Sequence, residues 1–140
     1  MVQEYIHAVN VLREAKESRP GFTVLVGFED QILPALLAGA DGAVCGLSNV
    51  APEPFVGLVR AFDDGDLAKA TELHRRILPV VAIFTLGSPG RSSMKLAMKK
   101  LGFPLSPTMR SPALPTPPNY EEAIETTLKA AGLLPVQGEA

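Results

Sequence analysis

Cysteine occurs once, at Cys45, which rules out a disulfide within the chain and falls far short of a zinc ligand set. Its neighbours are apolar and bounded by glycines, the setting of a small core residue rather than of a nucleophile. The two histidines, His7 and His74, have no cysteine or second histidine at ligand spacing, and both read as residues on solvated helix faces. No metal and no cofactor are expected. Long apolar runs are also missing. No stretch reaches the roughly 18–20 residues that cross a bilayer, and Met1-Val2-Gln3-Glu4-Tyr5 lacks the basic start and apolar core of a secretion signal. No membrane association and a cytoplasmic location are therefore expected. Basic residues are neither numerous nor clustered: 13 Lys and Arg stand against 15 Asp and Glu, for a formal charge of −2. Without a run that could neutralise several phosphates, nucleic acid is not an expected partner.

What the chain does have is apolar material, 46% of 140 residues, enough for one globular unit. From Val2 to about Glu17 the apolar positions Val2, Ile6, Val9 and Leu12 recur at helical spacing until Pro20-Gly21 stops them. Phe22 to Val26 is a β-branched and aromatic run ending at Gly27, which predicts a strand buried on both faces. The loop Phe28-Glu29-Asp30 follows. Ile32 to Ala38 predicts a short buried helix, and Gly42 to Leu47 a second strand bracketed by glycines. Phe55, Leu58, Val59 and Phe62 mark a further helix that Gly65 closes, with Asp66 placed to cap the next. That next helix, carried by Leu67, Ala70, Leu73, Ile77 and Val81, should bend at Pro79.

After a turn at Gly87-Ser88-Pro89-Gly90, the residues Met94, Ala97, Met98 and Leu101 form another helix that ends at Gly102. Pro104 to Pro118 is too proline-rich to be regular and reads as an extended wrap, its P-x-x-P-like spacing included. Asn119 with Glu122 three residues on resembles a capping box and predicts the start of a last helix running to about Ala131. Ser88 to Ser93 before a helix could hold an anion on free N–H groups with Arg91 alongside, but it lacks the Walker pattern and reads better as a capped turn.

Two strands that each precede a helix, followed by a purely helical tail, describe the end of an alternating β/α protein with a helical extension. Two buried parallel strands alone would leave edges and faces uncovered. The boundary between the two parts is expected near residue 65, with 1–65 holding the β/α units and 66–140 the extension.

The stretch from Phe22 to Asn49, F-T-V-L-V-G-F-E-D-Q-I-L-P-A-L-L-A-G-A-D-G-A-V-C-G-L-S-N, resembles the dihydrodipicolinate synthase and N-acetylneuraminate lyase family of class I, Schiff-base-forming aldolases. The likeness continues through Pro52-Glu53, Gly65-Asp66, Met94 to Ala97, Leu101-Gly102, Arg110-Ser111-Pro112 and Ala131 to Leu134. It implies the C-terminal portion of a (β/α)8 barrel, meaning its last two strands, plus a three-helix extension. A barrel of this kind needs roughly 200 residues to close.

Enzymes of this family join or split carbon–carbon bonds through an imine between a lysine and pyruvate or a related 2-oxo acid. The resemblance places that lysine in a G-[IL]-K-[DE] strand ahead of the first helix seen here, and the relay tyrosine and carboxylate-binding loop earlier still. Lys16, Lys69, Lys95, Lys99, Lys100 and Lys129 all fall on polar-flanked helical stretches, so no catalytic residue is expected within this chain. What it implies instead is one wall of a substrate pocket. Gly27 matches the glycine that lets substrate approach, Val44 the aliphatic residue beside pyruvate, and Glu29 and Asp30 the acidic loop that holds sugar hydroxyls in sialic-acid lyases. A solvated loop is the alternative for the two acids. Gly46 stands where those lyases carry a sugar-binding serine, a departure that weakens sialic acid itself as substrate.

The expected partners are a 2-oxo acid such as pyruvate together with either a complementary N-terminal segment or further copies in a homo-oligomer. Activity of these residues by themselves is not expected. The competing reading is a non-catalytic helical remnant that serves oligomerisation or regulation.

Overall fold

The computed structural model describes residues 2–86 and 91–135, with side chains from residue 9 onward other than those of 85 and 91. The first helix, α1 (Val2–Ser18), stops where the sequence does, at Pro20 and a Gly21 with φ of 87°. The chain then enters β1 (Leu25–Val26), a tight 3-10 turn at Glu29–Gln31, α2 (Ile32–Leu37) and β2 (Gly42–Ala43). The two strands are parallel, with Leu25 opposite Gly42 and Val26 opposite Ala43. Bonds from the N–H of Asp41 to Val24 and of Val44 to Val26, both 2.9 Å, extend the ladder beyond the formal strand residues.

Both strands are shorter than the sequence pattern suggests. The expected 42–47 strand ends early because Gly46 takes helical backbone angles (φ −67°, ψ −42°) and opens a 3-10 turn at Leu47–Asn49. Two local side-chain bonds hold that turn: the Ser48 hydroxyl donates to the Cys45 carbonyl (2.6 Å) and the Asn49 amide to the Gly46 carbonyl (2.9 Å). Such short-range bonds compete directly with a strand ladder.

Asp41 fixes the other end of the sheet. Its carboxylate accepts from the Lys16 ammonium at 2.6 and 2.7 Å and from the Val24 N–H at 2.7 Å, joining the end of α1 to the start of both strands. The hydrogen bond from Lys16, followed by that from Val24, holds this carboxyl below its ordinary range.

Helices dominate the rest of the chain: α3 (Pro52–Asp63), α4 (Leu67–Val81), α5 (Arg91–Lys100) and α6 (Glu121–Ala130). The α3–α4 pair is the most extensive packing between elements among the described residues. Gly65, at φ +78°, makes the turn between them, and Gly57 permits their close approach, since a Cβ there would stand 3.2 Å from Leu73 Cδ1. Asp66 caps α4 as expected, accepting the Lys69 N–H at 2.9 Å. α4 runs on through Pro79 and tightens into a 3-10 turn at Ala82–Thr85.

The expected capping box at Asn119 does not form. Pro118 starts a 3-10 turn at Pro118–Tyr120, which places Asn119 inside the turn and leaves Tyr120 as the N-cap of α6, without a side-chain bond. The expected turn at 87–90 lies outside the described residues, as does the Arg91 side chain.

The fully buried side chains Leu47, Leu58, Ile77, Ile83, Ile124 and Leu128 place the core among the helices, with Val26, Ala43 and Cys45 packed at its margin. The opposite face of the sheet is open: Leu25 is 50% exposed and Val44 69%. Among the described residues no helix is long and apolar enough to cross a membrane.

Candidate functional site

The open face leads to the C-terminal ends of β1 and β2, where the residues singled out from sequence converge. Strand alternation sends Val26 and Ala43 toward the helices and Leu25 and Val44 to the other side. The register then sets Gly27 beside Val44, and a Cβ on Gly27 would stand 4.0 Å from the Val44 carbonyl. Gly27 is exposed, so backbone and an aliphatic side chain share one accessible surface.

Gly46 follows Val44 by two residues and leads into the 3-10 turn after β2. A Cβ built there would lie 3.3 Å from Met94 Sδ and 3.3 Å from Phe84 Cζ. The neighbours of Gly46 are therefore supplied by α5 and by the turn after α4, which carries Phe84. Neither residue was visible as a site residue from sequence, because the contact joins segments far apart in the chain and no motif marks it.

The adjacent acids Glu29 and Asp30 have opposite fates. Glu29 is only 2% exposed and accepts the N–H of Leu47 at 2.9 Å, tying the turn after β1 to the turn after β2. This carboxylate is a brace within the chain rather than part of a solvated loop. Asp30 is exposed and lies near His74 of α4.

His74 differs from the solvated residue that its sequence context suggests. It is half-buried with no hydrogen-bond partner for its buried Nδ1, and burial pulls its pKa below the ordinary histidine value although the charge of Asp30 opposes this. Cys45 is partly buried as expected. Burial, followed by the negative charge of Glu29, pushes its thiol up to about 12, so it stays protonated and unreactive.

The lysines fall on helices, and none sits on either strand. Lys16 binds Asp41, Lys69 binds Glu72, Lys100 reaches Glu121 and Glu125, and Lys129 binds Glu125. Lys95 donates to the Thr108 carbonyl at 2.9 Å, holding the irregular segment after α5. Ser92 and Ser93 are buried, with Thr116 donating to Ser92 and Ser93 to the Ile83 carbonyl, so both hydroxyls brace the start of α5. Among the described residues no group of three His, Cys, Asp or Glu could hold a metal.

This arrangement of strands and helices has close counterparts. The dihydrodipicolinate synthetase family matches residues 2–131, and the chain belongs to that family. It is 35% identical over 130 residues to the probable 2-dehydro-3-deoxy-D-pentonate aldolase YjhH of Escherichia coli K12, a match that takes in 93% of this chain and 43% of YjhH. It is 32% identical over 128 residues to the putative 2-dehydro-3-deoxy-D-gluconate aldolase YagE of the same organism. The crystal structure of YagE in complex with pyruvate superposes with a TM-score of 0.87, covering 93% of this chain and 44% of that one. A dihydrodipicolinate synthase from Thermotoga maritima gives a TM-score of 0.84 at 29% identity, over 93% and 43% of the two chains. The chain thus spans less than half the length of the relatives it matches.

Proposed function

We propose that these residues form the C-terminal part of a pyruvate-dependent Schiff-base aldolase, in which β1 and β2 are the last two strands of a (β/α)8 barrel and the residues from about 66 onward are its helical extension. The observation that carries the reading is the pairing of Gly27 and Val44 on one open surface at the strand ends, the end of such barrels where chemistry is done. It is supported by the superposition on YagE, whose crystal structure holds pyruvate.

In this reading a lysine outside these residues attacks the 2-oxo carbon of pyruvate, and loss of water leaves an imine. The imine withdraws electrons, so the adjacent carbon gives up a proton and becomes an enamine. The enamine attacks an aldehyde carbonyl to form the new carbon–carbon bond, and water then releases the product and restores the amine. Cleavage is the same sequence reversed. Burial in a dry interior keeps such a lysine neutral.

Val44 supplies the apolar contact beside the three-carbon unit, and Gly27 leaves space for it. Gly46, backed by Met94 and Phe84, bounds the far side. Asp30, exposed at the rim, is the acid available to accept hydroxyls of the second substrate, with Glu29 holding the two turns in place beneath it. A polyhydroxylated aldehyde fits this rim. The support is that YjhH and YagE are both described as aldolases of 2-dehydro-3-deoxy sugar acids, whose cleavage leaves pyruvate and a hydroxylated aldehyde.

The test joins the N-terminal part of YagE, up to where its similarity begins, to this chain as one polypeptide. Borohydride with pyruvate should give a covalent adduct on the joined protein and none on these 140 residues alone. An adduct on these residues alone, or none on a folded joined protein, refutes the proposal.

A further inference from the structure

Adjacent residues on a helix point roughly 100° apart around its axis. Arg75 and Arg76 of α4 nevertheless line one groove of about 530 Å³, which runs between α4 and the chain that leaves α6. Thr71 and Glu72 share the α4 side of it, and Ala131 and Gly132 form the other. Among the described residues neither guanidinium has a hydrogen-bond or ion-pair partner.

Two ordinary roles for such arginines are already filled by other groups. A cation near a helix C-terminus can bind its last carbonyls. At the end of α6, however, the carbonyls of Thr127, Leu128 and Lys129 accept the N–H groups of Ala131, Leu133 and Gly132 at 2.9–3.0 Å, and Gly132, at φ +69°, closes the turn. A cation can also pair with a nearby acid. Glu72 is engaged by Lys69 and Glu125 of α6 by Lys129, each at 2.8 Å. Those two pairs cancel in charge, so the arginines leave a local surplus of two positive charges on a chain whose formal charge is −2.

We propose that the groove between α4 and the end of α6 binds a small organic dianion, a dicarboxylate or a phosphate ester, through Arg75 and Arg76. Each guanidinium offers a planar fork of N–H donors that matches the paired oxygens of a carboxylate or a phosphate. A water molecule takes up about 30 Å³ in the liquid, so a groove of about 530 Å³ has room for a carbon skeleton as well as the charged groups. Ala131 is buried and gives that skeleton an apolar floor. Both arginines are exposed, so the ligand stays partly in water and its Kd should be on the order of 1 mM or somewhat tighter.

The experiment titrates this chain calorimetrically with glutarate and with glycerol phosphate, using butyrate as a monoanion of comparable size. At least one dianion should bind one-to-one and about tenfold or more tightly than butyrate, and the tighter of the two identifies the head group. Arg75→Ala combined with Arg76→Ala should weaken binding about tenfold or more. Arg75→Lys, which keeps the charge and loses the fork, should weaken it severalfold, and Glu72→Gln, which removes a negative charge from the groove, should tighten it. Arg13→Ala, on α1 and paired with Glu17, should change nothing. Nuclear magnetic resonance should show the dianion moving the amide signals of Ala131 and Gly132. The proposal is overturned if neither dianion binds, if binding survives in a folded double-alanine variant, or if Arg75→Lys and Glu72→Gln both leave it unchanged. It is also overturned if the chain is a dimer that the double substitution dissociates, since a second copy is then the occupant. In the polypeptide joined to the N-terminal part of YagE the dianion should still bind, and its loss there while pyruvate is trapped normally would count equally against the site.

Discussion

Replacing Glu29 by alanine should destabilise the chain by about 2–3 kcal/mol. The carboxylate is 2% exposed and accepts the N–H of Leu47, itself 0% exposed, at 2.9 Å. A hydrogen bond to a charged group contributes about 1.5–3 kcal/mol, and truncation leaves a buried N–H with no acceptor, which costs about 1–3 kcal/mol as part of the same loss. For a domain of this size each kcal/mol moves the melting midpoint by roughly 4 °C, so the expected drop is roughly 10 °C. Glu29→Gln keeps an oxygen acceptor in the same place. It loses the charge assistance but also relieves the burial of a charge, so its cost should be about 1 kcal/mol or less. Thermal melts followed by far-ultraviolet circular dichroism, with urea titrations as a second measure, separate the two variants. If the alanine variant melts within about 2 °C of the parent, or the glutamine variant falls as far as the alanine one, Glu29 is not a brace between the two turns.

Four further outcomes are expected. Leu58→Ala, at a 0% exposed position in the α3–α4 interface, should cost about 2–5 kcal/mol by urea titration. Gly46→Ala meets Met94 and Phe84 at 3.3 Å without backbone strain, and should cost up to about 1–3 kcal/mol; combined with Met94→Ala, the two should couple by about 0.5 kcal/mol or more in a double-mutant cycle. The depressed carboxyl of Asp41 adds stability that is present above its unfolded pKa of about 3.9 and is lost as pH falls through the folded value, so Asp41→Asn should flatten the acid limb of a stability profile. His74 is lowered in the folded state, so the unfolded chain takes up its proton first: stability should fall as pH drops below about 6.5, and His74→Gln should reduce that slope.

Much of the helical framework was legible because its signals are local. The 3.6-residue spacing of α1, α3 and α4, the stop at Pro20-Gly21 and the cap at Asp66 all act within a turn or two of the residues that carry them. The strand ends were not legible, since Ser48 and Asn49 fold the backbone back on itself where the apolar pattern alone would continue a strand. Asn119 misled for a similar reason, as a proline one residue earlier had already begun the turn. At the strand ends, Gly27 and Val44 lie side by side on one open surface, which the register of the two strands dictates. The different roles of Glu29 and Asp30 could not be read. Adjacent acids look alike in sequence, and the rotation of a single 3-10 turn decides which is buried. Met94 and Phe84 depend on tertiary packing alone.

The side chain behind Gly46 has a bearing on how a wall of this kind changes. Methionine is unbranched and polarizable, and it settles into several shapes at little expense. Because Met94 belongs to α5 and not to either strand, a substitution on that helix would change the space beside Gly46 while leaving the ladder of β1 and β2 untouched. The packing around Gly46 and the strands that precede it are thus open to separate adjustment.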